Sequence, residues 1–187
     1  MTTHPFNWLP SPLRKKAFVV LLATTMVTMA ALQVLDRHLK TDAAPHGIVS
    51  FEFAGNLPNA TLMLASWNPP ARIAAGLSLG LDYLFLFTYA GVIGLGCVLT
   101  AGARFQHTQT GITIGYILAW GQLGAALLDA VENYSLARVL LGAQTDLWPA
   151  VAFWCAGPKF GIVALGLAYV VVGVMIGLKH LIQRKGL

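Results

Sequence analysis

Long apolar stretches alternate with short polar segments along this chain. Four of them, residues 17–35, 73–102, 111–141 and 149–178, are long enough to cross a bilayer as a helix, which takes about 20 residues. The pattern predicts an all-α integral membrane protein, a four-transmembrane-helix bundle that forms one domain over residues 1–187.

The segment between the first two spans, residues 36–72, is the longest part of the chain outside the predicted membrane helices. It is partly apolar, so we expect it to lie against the lipid headgroups or to fold onto the bundle as an extracytoplasmic cap. Two short elements are predicted within it, at residues 49–56 and 58–67, and Pro58 suits the first position of the second one.

Composition supports the membrane assignment. The chain is 57% hydrophobic and only 10% charged, whereas a soluble domain carries about 25% charged residues. The net charge of +5 does not indicate a nucleic-acid partner, because the basic residues concentrate at the ends of the apolar spans. We therefore expect neither a soluble enzyme nor a nucleic-acid-binding protein. We expect a protein surrounded by membrane lipids.

The basic residues also predict an orientation. Seven of them fall on the side of the N-terminus and four on the other side, so both termini are expected in the cytoplasm, with a bacterial inner (plasma) membrane as the location. The first span is expected to stay as an anchor rather than to be cleaved as a signal peptide. The first group is Arg14, Lys15, Lys16, Arg104, Lys179, Arg184 and Lys185, and the second is Arg37, Lys40, Arg72 and Arg138.

Four ionisable residues interrupt the apolar spans: Asp82, Asp129, Glu132 and Lys159. A charge in the hydrocarbon costs at least about 2.5 kcal/mol and persists mainly where it faces the protein interior and finds a partner. At about 1.5 Å per helical residue, each lies roughly 9 to 15 Å inside the outer end of its helix. Because successive helices run in opposite directions, the four side chains are predicted to meet in the outer half of the bilayer.

Polar and small residues on the same helix faces extend this prediction. Gly76 and Gly80 are spaced for close helix packing. Pro158 lacks an N–H and frees the carbonyl of Trp154, which predicts a cavity wall beside the lysine. The faces themselves consist of Ser78, Asp82, Phe85 and Tyr89 on the second span, and of Gln122, Asp129, Glu132 and Asn133 on the third.

Three carboxyls against one ammonium leave an excess of negative charge, which grows if Glu52 of the outer loop folds inward. Protonated acids, a bound cation, or Arg72 and Arg138 reaching inward are the alternatives that could balance it. The five histidines lie outside the spans, so no histidine-based metal site is predicted, and no cofactor is identified.

Two classes of function remain open, together with a structural one. The first is an intramembrane acid/base enzyme on a lipid-like or amphipathic substrate. The second is a proton- or cation-coupled carrier or a subunit that binds an amphipathic or cationic ligand, and the third is an assembly factor or structural subunit whose polar cluster fixes helix register. A homo-oligomer is among the expected partners. The predicted catalytic residues are Asp82, Asp129, Glu132 and Lys159, and the predicted ligand-binding residues are Gln122, Asn133, Ser78, Tyr89 and Glu52.

Overall fold

The computed structural model of the protein describes residues 3–106 and 108–185, with only the helical backbone for 180, 181, 184 and 185. Over these residues it is built from six α-helices and contains no strand. The side chains of Arg184 and Lys185, which enter the orientation count above, lie outside this description.

Four helices are long and apolar enough to span a membrane: α1 (Ser11–Asp36), α4 (Pro69–Arg104), α5 (Gln109–Leu140) and α6 (Leu147–Lys185). The all-α, four-helix membrane bundle is thereby confirmed. Each of these helices contains one predicted span and extends beyond it. The exception is the C-terminal end of α5, where the predicted span ends one residue after the helix. The predicted apolar runs were shorter because helices continue into the polar boundary, where side chains no longer need to be apolar.

Helix α4 is the centre of the bundle. It packs against α1, α5 and α6, and α5 packs along α6. In the most apolar window of α4 67% of residues are buried, against 11% in α1, so α1 is a peripheral helix with most of its surface facing outward. Gly91 allows the close approach of α1, because a Cβ there would press against Leu21, and a Cβ at Gly96 would press against Val170 of α6 and Phe18 of α1.

The segment between α1 and α4 folds onto the bundle, as predicted, through two short helices, α2 (Ile48–Glu52) and α3 (Leu57–Ser66). Helix α2 ends three residues before Gly55, whose φ of +73° only glycine adopts readily. Asn56 then caps α3 by accepting a hydrogen bond from the Asn59 N–H at 2.9 Å, so α3 begins one residue before Pro58.

Buried contacts hold this cap in place. Phe51 of α2 is fully buried and meets the Trp67 ring edge-on, with the centroids 5.2 Å apart. The Trp67 indole N–H donates to the carbonyl of Leu39 at 2.9 Å, and Asp36 at the end of α1 accepts a hydrogen bond from the Ile48 N–H at 2.8 Å. The cap is therefore fixed at both ends of α2.

Close packing does not occur where the sequence predicted it. An added Cβ at Gly80 would meet no described atom within 4 Å, and at Gly76 only the Leu140 side chain at 3.8 Å, so the prediction of a close-packing pair is wrong within this chain. Both glycines lie on the outward face of α4.

An N-terminal strap, residues 3–9, folds against α4 and α5. Phe6 is buried in the bundle, and Trp120 donates its indole N–H to the carbonyl of Thr3 at 3.0 Å. Burial, with the nearby Arg14 charge as a smaller cause, lowers the pKa of His4. No apolar periodicity marks this strap in the sequence, so it was not predicted.

Candidate functional site

Lys159 of α6 is the centre of a buried ionic cluster. Its Nζ donates to Asp129 Oδ1 at 3.0 Å and to Glu132 Oε1 at 2.8 Å, both on α5. The Glu52 Oε2 atom, from the cap, lies 3.8 Å away. The structure therefore brings together three of the four predicted intramembrane charges and the acid from the outer loop.

Asp82 of α4 joins the cluster without an ion pair. Its Oδ2 accepts a hydrogen bond from Asn133 Nδ2 at 2.6 Å, and its carboxyl interacts with that of Asp129. Among the described residues, no lysine or arginine nitrogen lies within 4.0 Å of it. Asp82 thus contacts Asn133 and the Asp129 carboxyl, and it forms no ion pair with a described lysine or arginine.

Asp129 is the most constrained acid of the cluster. Besides Lys159, it accepts a hydrogen bond from the Tyr89 hydroxyl at 3.0 Å on its second oxygen. A carboxyl group that accepts from an ammonium on one oxygen and from a phenol on the other is fixed in orientation.

Glu52 occupies the opposite kind of environment. Glu52 is only 9% exposed, and its Oε2 atom accepts no hydrogen bond. Burial raises the pKa of this carboxyl well above its usual value, with further contributions from the acids of the cluster and an opposing one from Lys159. The cluster thus pairs a fixed carboxylate with a carboxylic acid that retains its proton more strongly than usual.

Replacing Glu52 with glutamine is expected to remove a pH-dependent loss of stability. Because its pKa is raised on folding, the native state holds a proton that the unfolded chain releases, so stability falls as pH rises above about 4.5, by at most about 1.4 kcal/mol per pH unit. The groups facing it are Lys159, Glu132, Asp129 and Asp82. Melting temperatures are measured for the parent and for Glu52→Gln between about pH 5 and pH 9. As the pH rises, the melting temperature of the variant should increasingly exceed that of the parent.

Asp42→Asn is the matched control for this comparison, since Asp42 is exposed on the cap. Its curve is expected to follow that of the parent. Curves for the parent and Glu52→Gln that stay parallel across the range contradict the assignment of a buried, proton-retaining Glu52.

Two adjacent cavities lie beside the cluster. The inner cleft has a volume of about 450 Å³ and runs between α1, α4 and α6, from Glu52 and Lys159 down to Leu22 and Leu167. The outer cavity, of about 230 Å³, lies between α1, α2 and α4. Most of the inner cleft's lining is apolar, and its polar groups are concentrated where the two cavities meet.

The other predicted site residues divide into those that face a cavity and those that do not. Ser78 and Asn133 line the outer cavity, and Tyr89 lines the inner cleft. Glu132 is fully buried behind Lys159. Gln122 is also fully buried and donates to the Ile162 carbonyl at 3.1 Å, and it is not among the described residues that line either cavity.

The prediction that Arg72 or Arg138 could reach the cluster is wrong. Arg72 donates to the carbonyl of Leu64 at 2.8 Å, at the end of α3, and Arg138 lies over the Trp148 ring at 5.2 Å from its centroid. Both arginines have these partners at exposed positions.

Sequence reasoning missed the contribution of α1. Met29, Gln33 and Asp36 all line the outer cavity. Their spacing of four and three residues places them on one helix face, and two polar residues in such a stripe could have indicated it. Because the predicted first span ends at residue 35, Asp36 falls in the predicted loop and the stripe is not apparent from the spans.

Comparison with known proteins leaves the site to be interpreted from its own geometry. No protein-family model, no curated protein and no solved structure matches this chain.

Proposed function

We propose that the protein is a membrane-embedded enzyme that takes an amphipathic substrate from the lipid phase and acts on its polar end by acid/base chemistry. The inner cleft is the main support: it is apolar over most of its length and carries Glu52, Asp82, Asp129 and Lys159 on one side. Its volume of about 450 Å³ falls in the range of about 300–1,000 Å³ that is usual for small-molecule sites, which are mostly apolar with a few converging polar groups.

The position of the cleft suits lateral entry from the membrane. Leu22 and Met26 of α1 are 41% and 58% exposed, and Leu167 of α6 is 47% exposed. All three also line the cleft, so its rim borders the surface that faces lipid. An apolar chain can enter between α1 and α6 while its polar end reaches the cluster.

The surroundings of the acids suggest their roles. Asp129, which accepts from Lys159 and Tyr89, suits the role of the base or of a fixed anion, and Glu52, with its raised pKa, suits the acid. Lys159 also lines the cleft and can stabilise negative charge that develops on the substrate. Asp82 supplies the second carboxyl that faces the bound molecule.

The lower part of the cleft favours an enzyme or binding site over a carrier. Val92, Ile93 and Leu167 line it there, and Thr25 is the polar residue among them, with its hydroxyl already donating to the Leu21 carbonyl. A coupled carrier needs polar groups that continue across the membrane. Among the described lining residues, these groups are concentrated at the outer end.

A structural role for part of the cluster is supported by a different observation. Lys159 joins α6 to two acids of α5, and Glu132 is fully buried behind it. Such contacts fix helix register. They do not require the cavities beside Glu52 and Asp82, so a variant at Glu52 separates the two roles.

The experiment compares the parent with Glu52→Gln in vesicles made from a total membrane lipid extract. Mass spectrometry before and after incubation should show an amphiphile consumed and a product formed by the parent. Because glutamine cannot donate the proton, the variant should be slower by about 100-fold or more while it is at least as stable. Asp42→Asn should match the parent, and identical mass profiles for all samples and protein-free vesicles contradict the proposal.

A further inference from the structure

We propose that the substrate carries a cationic head group, of the class of a protonated amine, which occupies the outer cavity beside Asp82 while the apolar chain lies in the inner cleft. This inference rests on the proposed function and names the substrate class of that same site. Three observations support it: the adjacency of the two cavities, the acidic lining of the outer one, and the lack of an ion pair between Asp82 and any described lysine or arginine.

A single amphiphile can occupy both cavities. Five residues line the outer cavity and the inner cleft together, so the two spaces share a wall and a junction. Two of the five are acids that stand at the junction, where the head group of a bound amphiphile meets its chain. The shared residues are Met29, Val49, Glu52, Asp82 and Phe85.

The outer cavity is lined by acids and by no described base. Asp36, Glu52 and Asp82 line it, and no lysine or arginine is among its described lining residues. Lys40 lies 3.7 Å from Asp36, but its side chain is 57% exposed and does not line the cavity. Lys159 borders the inner cleft instead and is shared among three acids.

Glu52, one of the two acids at the junction, has a carboxyl oxygen that accepts no hydrogen bond from the described residues. Glu52 is 9% exposed and its Oε2 accepts no hydrogen bond, while Asp82 is bonded to Asn133 without an ion pair. An ammonium group supplies three donors to such oxygens. The Phe85 ring lines both cavities and provides an aromatic surface that attracts cations, whereas an anionic head would face three carboxyls.

Head-group preference can be measured in nanodiscs of zwitterionic lipid. The probes are dodecylamine, dodecanol and dodecyl phosphate, which share one chain, and the readout is their dissociation constant for the whole protein. The amine should bind about 10- to 100-fold more tightly than the alcohol, as expected for a hydrogen-bonded charge pair, and the phosphate more weakly than the alcohol. Asp82→Asn should abolish the preference for the amine over the alcohol.

Two further variants keep the test decisive. Asp42→Asn, at an exposed position of the cap, should bind all three probes like the parent. Asp36→Asn, which retains an oxygen to accept from the Ile48 N–H, should reduce the amine preference about threefold, because it removes one charge at the far wall. Equal affinity of the parent for amine and alcohol, or an undiminished preference in Asp82→Asn, overturns the inference.

The result also distinguishes this inference from the proposed function. If amine and alcohol bind equally, and filling the cleft by Val163→Trp weakens both, the cleft is an amphiphile site and the head-group class is wrong. If no probe is affected when the cleft is filled, both the inference and the proposed function fail.

Discussion

Replacing Lys159 with methionine is expected to destabilise the protein by about 3–5 kcal/mol. The substitution removes the ammonium that lies within 4 Å of Asp129, Glu132 and Glu52, and it leaves buried carboxyls without a counter-charge. The free energy of unfolding in mixed micelles, followed by helical circular dichroism, measures the loss. A stability within about 0.5 kcal/mol of the parent would show that the ion pairs are not formed.

The matched control is Lys179→Met, which removes an exposed lysine from the same helix and is expected to change stability little. A second comparison tests the cause. Adding Glu132→Gln to Lys159→Met should restore part of the lost stability, because it removes one of the acids that the substitution leaves unpaired. A double variant less stable than the single one would point to lost packing rather than to uncompensated charge.

Filling the inner cleft by Val163→Trp is expected to reduce amphiphile binding and turnover by more than about tenfold. Val163 lines the cleft on α6, and an indole there occupies space that an apolar chain would take. Stability should change by less than about 2 kcal/mol, since the ring enters an existing cavity rather than a packed core. Turnover and probe affinity are measured beside the melting temperature.

Leu165→Trp is the control for side-chain size, because Leu165 is 61% exposed on the outward surface of the same helix. Binding and turnover in this variant should equal those of the parent. If Val163→Trp retains full activity, or if both tryptophan variants lose it equally, the cleft is not the substrate site.

Hydrophobic patterning and helical geometry were sufficient to predict the spans and the convergence of charge. Asp129 and Glu132 share one face of α5 by their spacing, and counting depth along antiparallel helices placed Lys159 opposite them. These inferences succeed because a buried charge in a membrane must find a partner, which leaves few possible arrangements.

The docking of the cap, the packing faces of the helices and the cavities were less predictable from the sequence. The inward position of Glu52 depends on how the cap docks through Phe51, and this contact has no local periodicity. Gly76 and Gly80 fit a packing motif but face outward, since which helix face packs depends on the partner helix and not on the motif alone. The cavities formed because α1 packs chiefly against α4, an arrangement that the apolar pattern of α1 does not specify.

Photolabelling tests the occupancy of the cleft most directly. A long-chain alkylamine with a diazirine in its chain is bound in nanodiscs, irradiated, and located by peptide mass spectrometry. Occupancy of the cleft predicts labels at Met26, Val163 and Leu167 that excess unlabelled amine suppresses. Labels that follow lipid exposure alone, equally strong at Leu165 and insensitive to competitor, would contradict it.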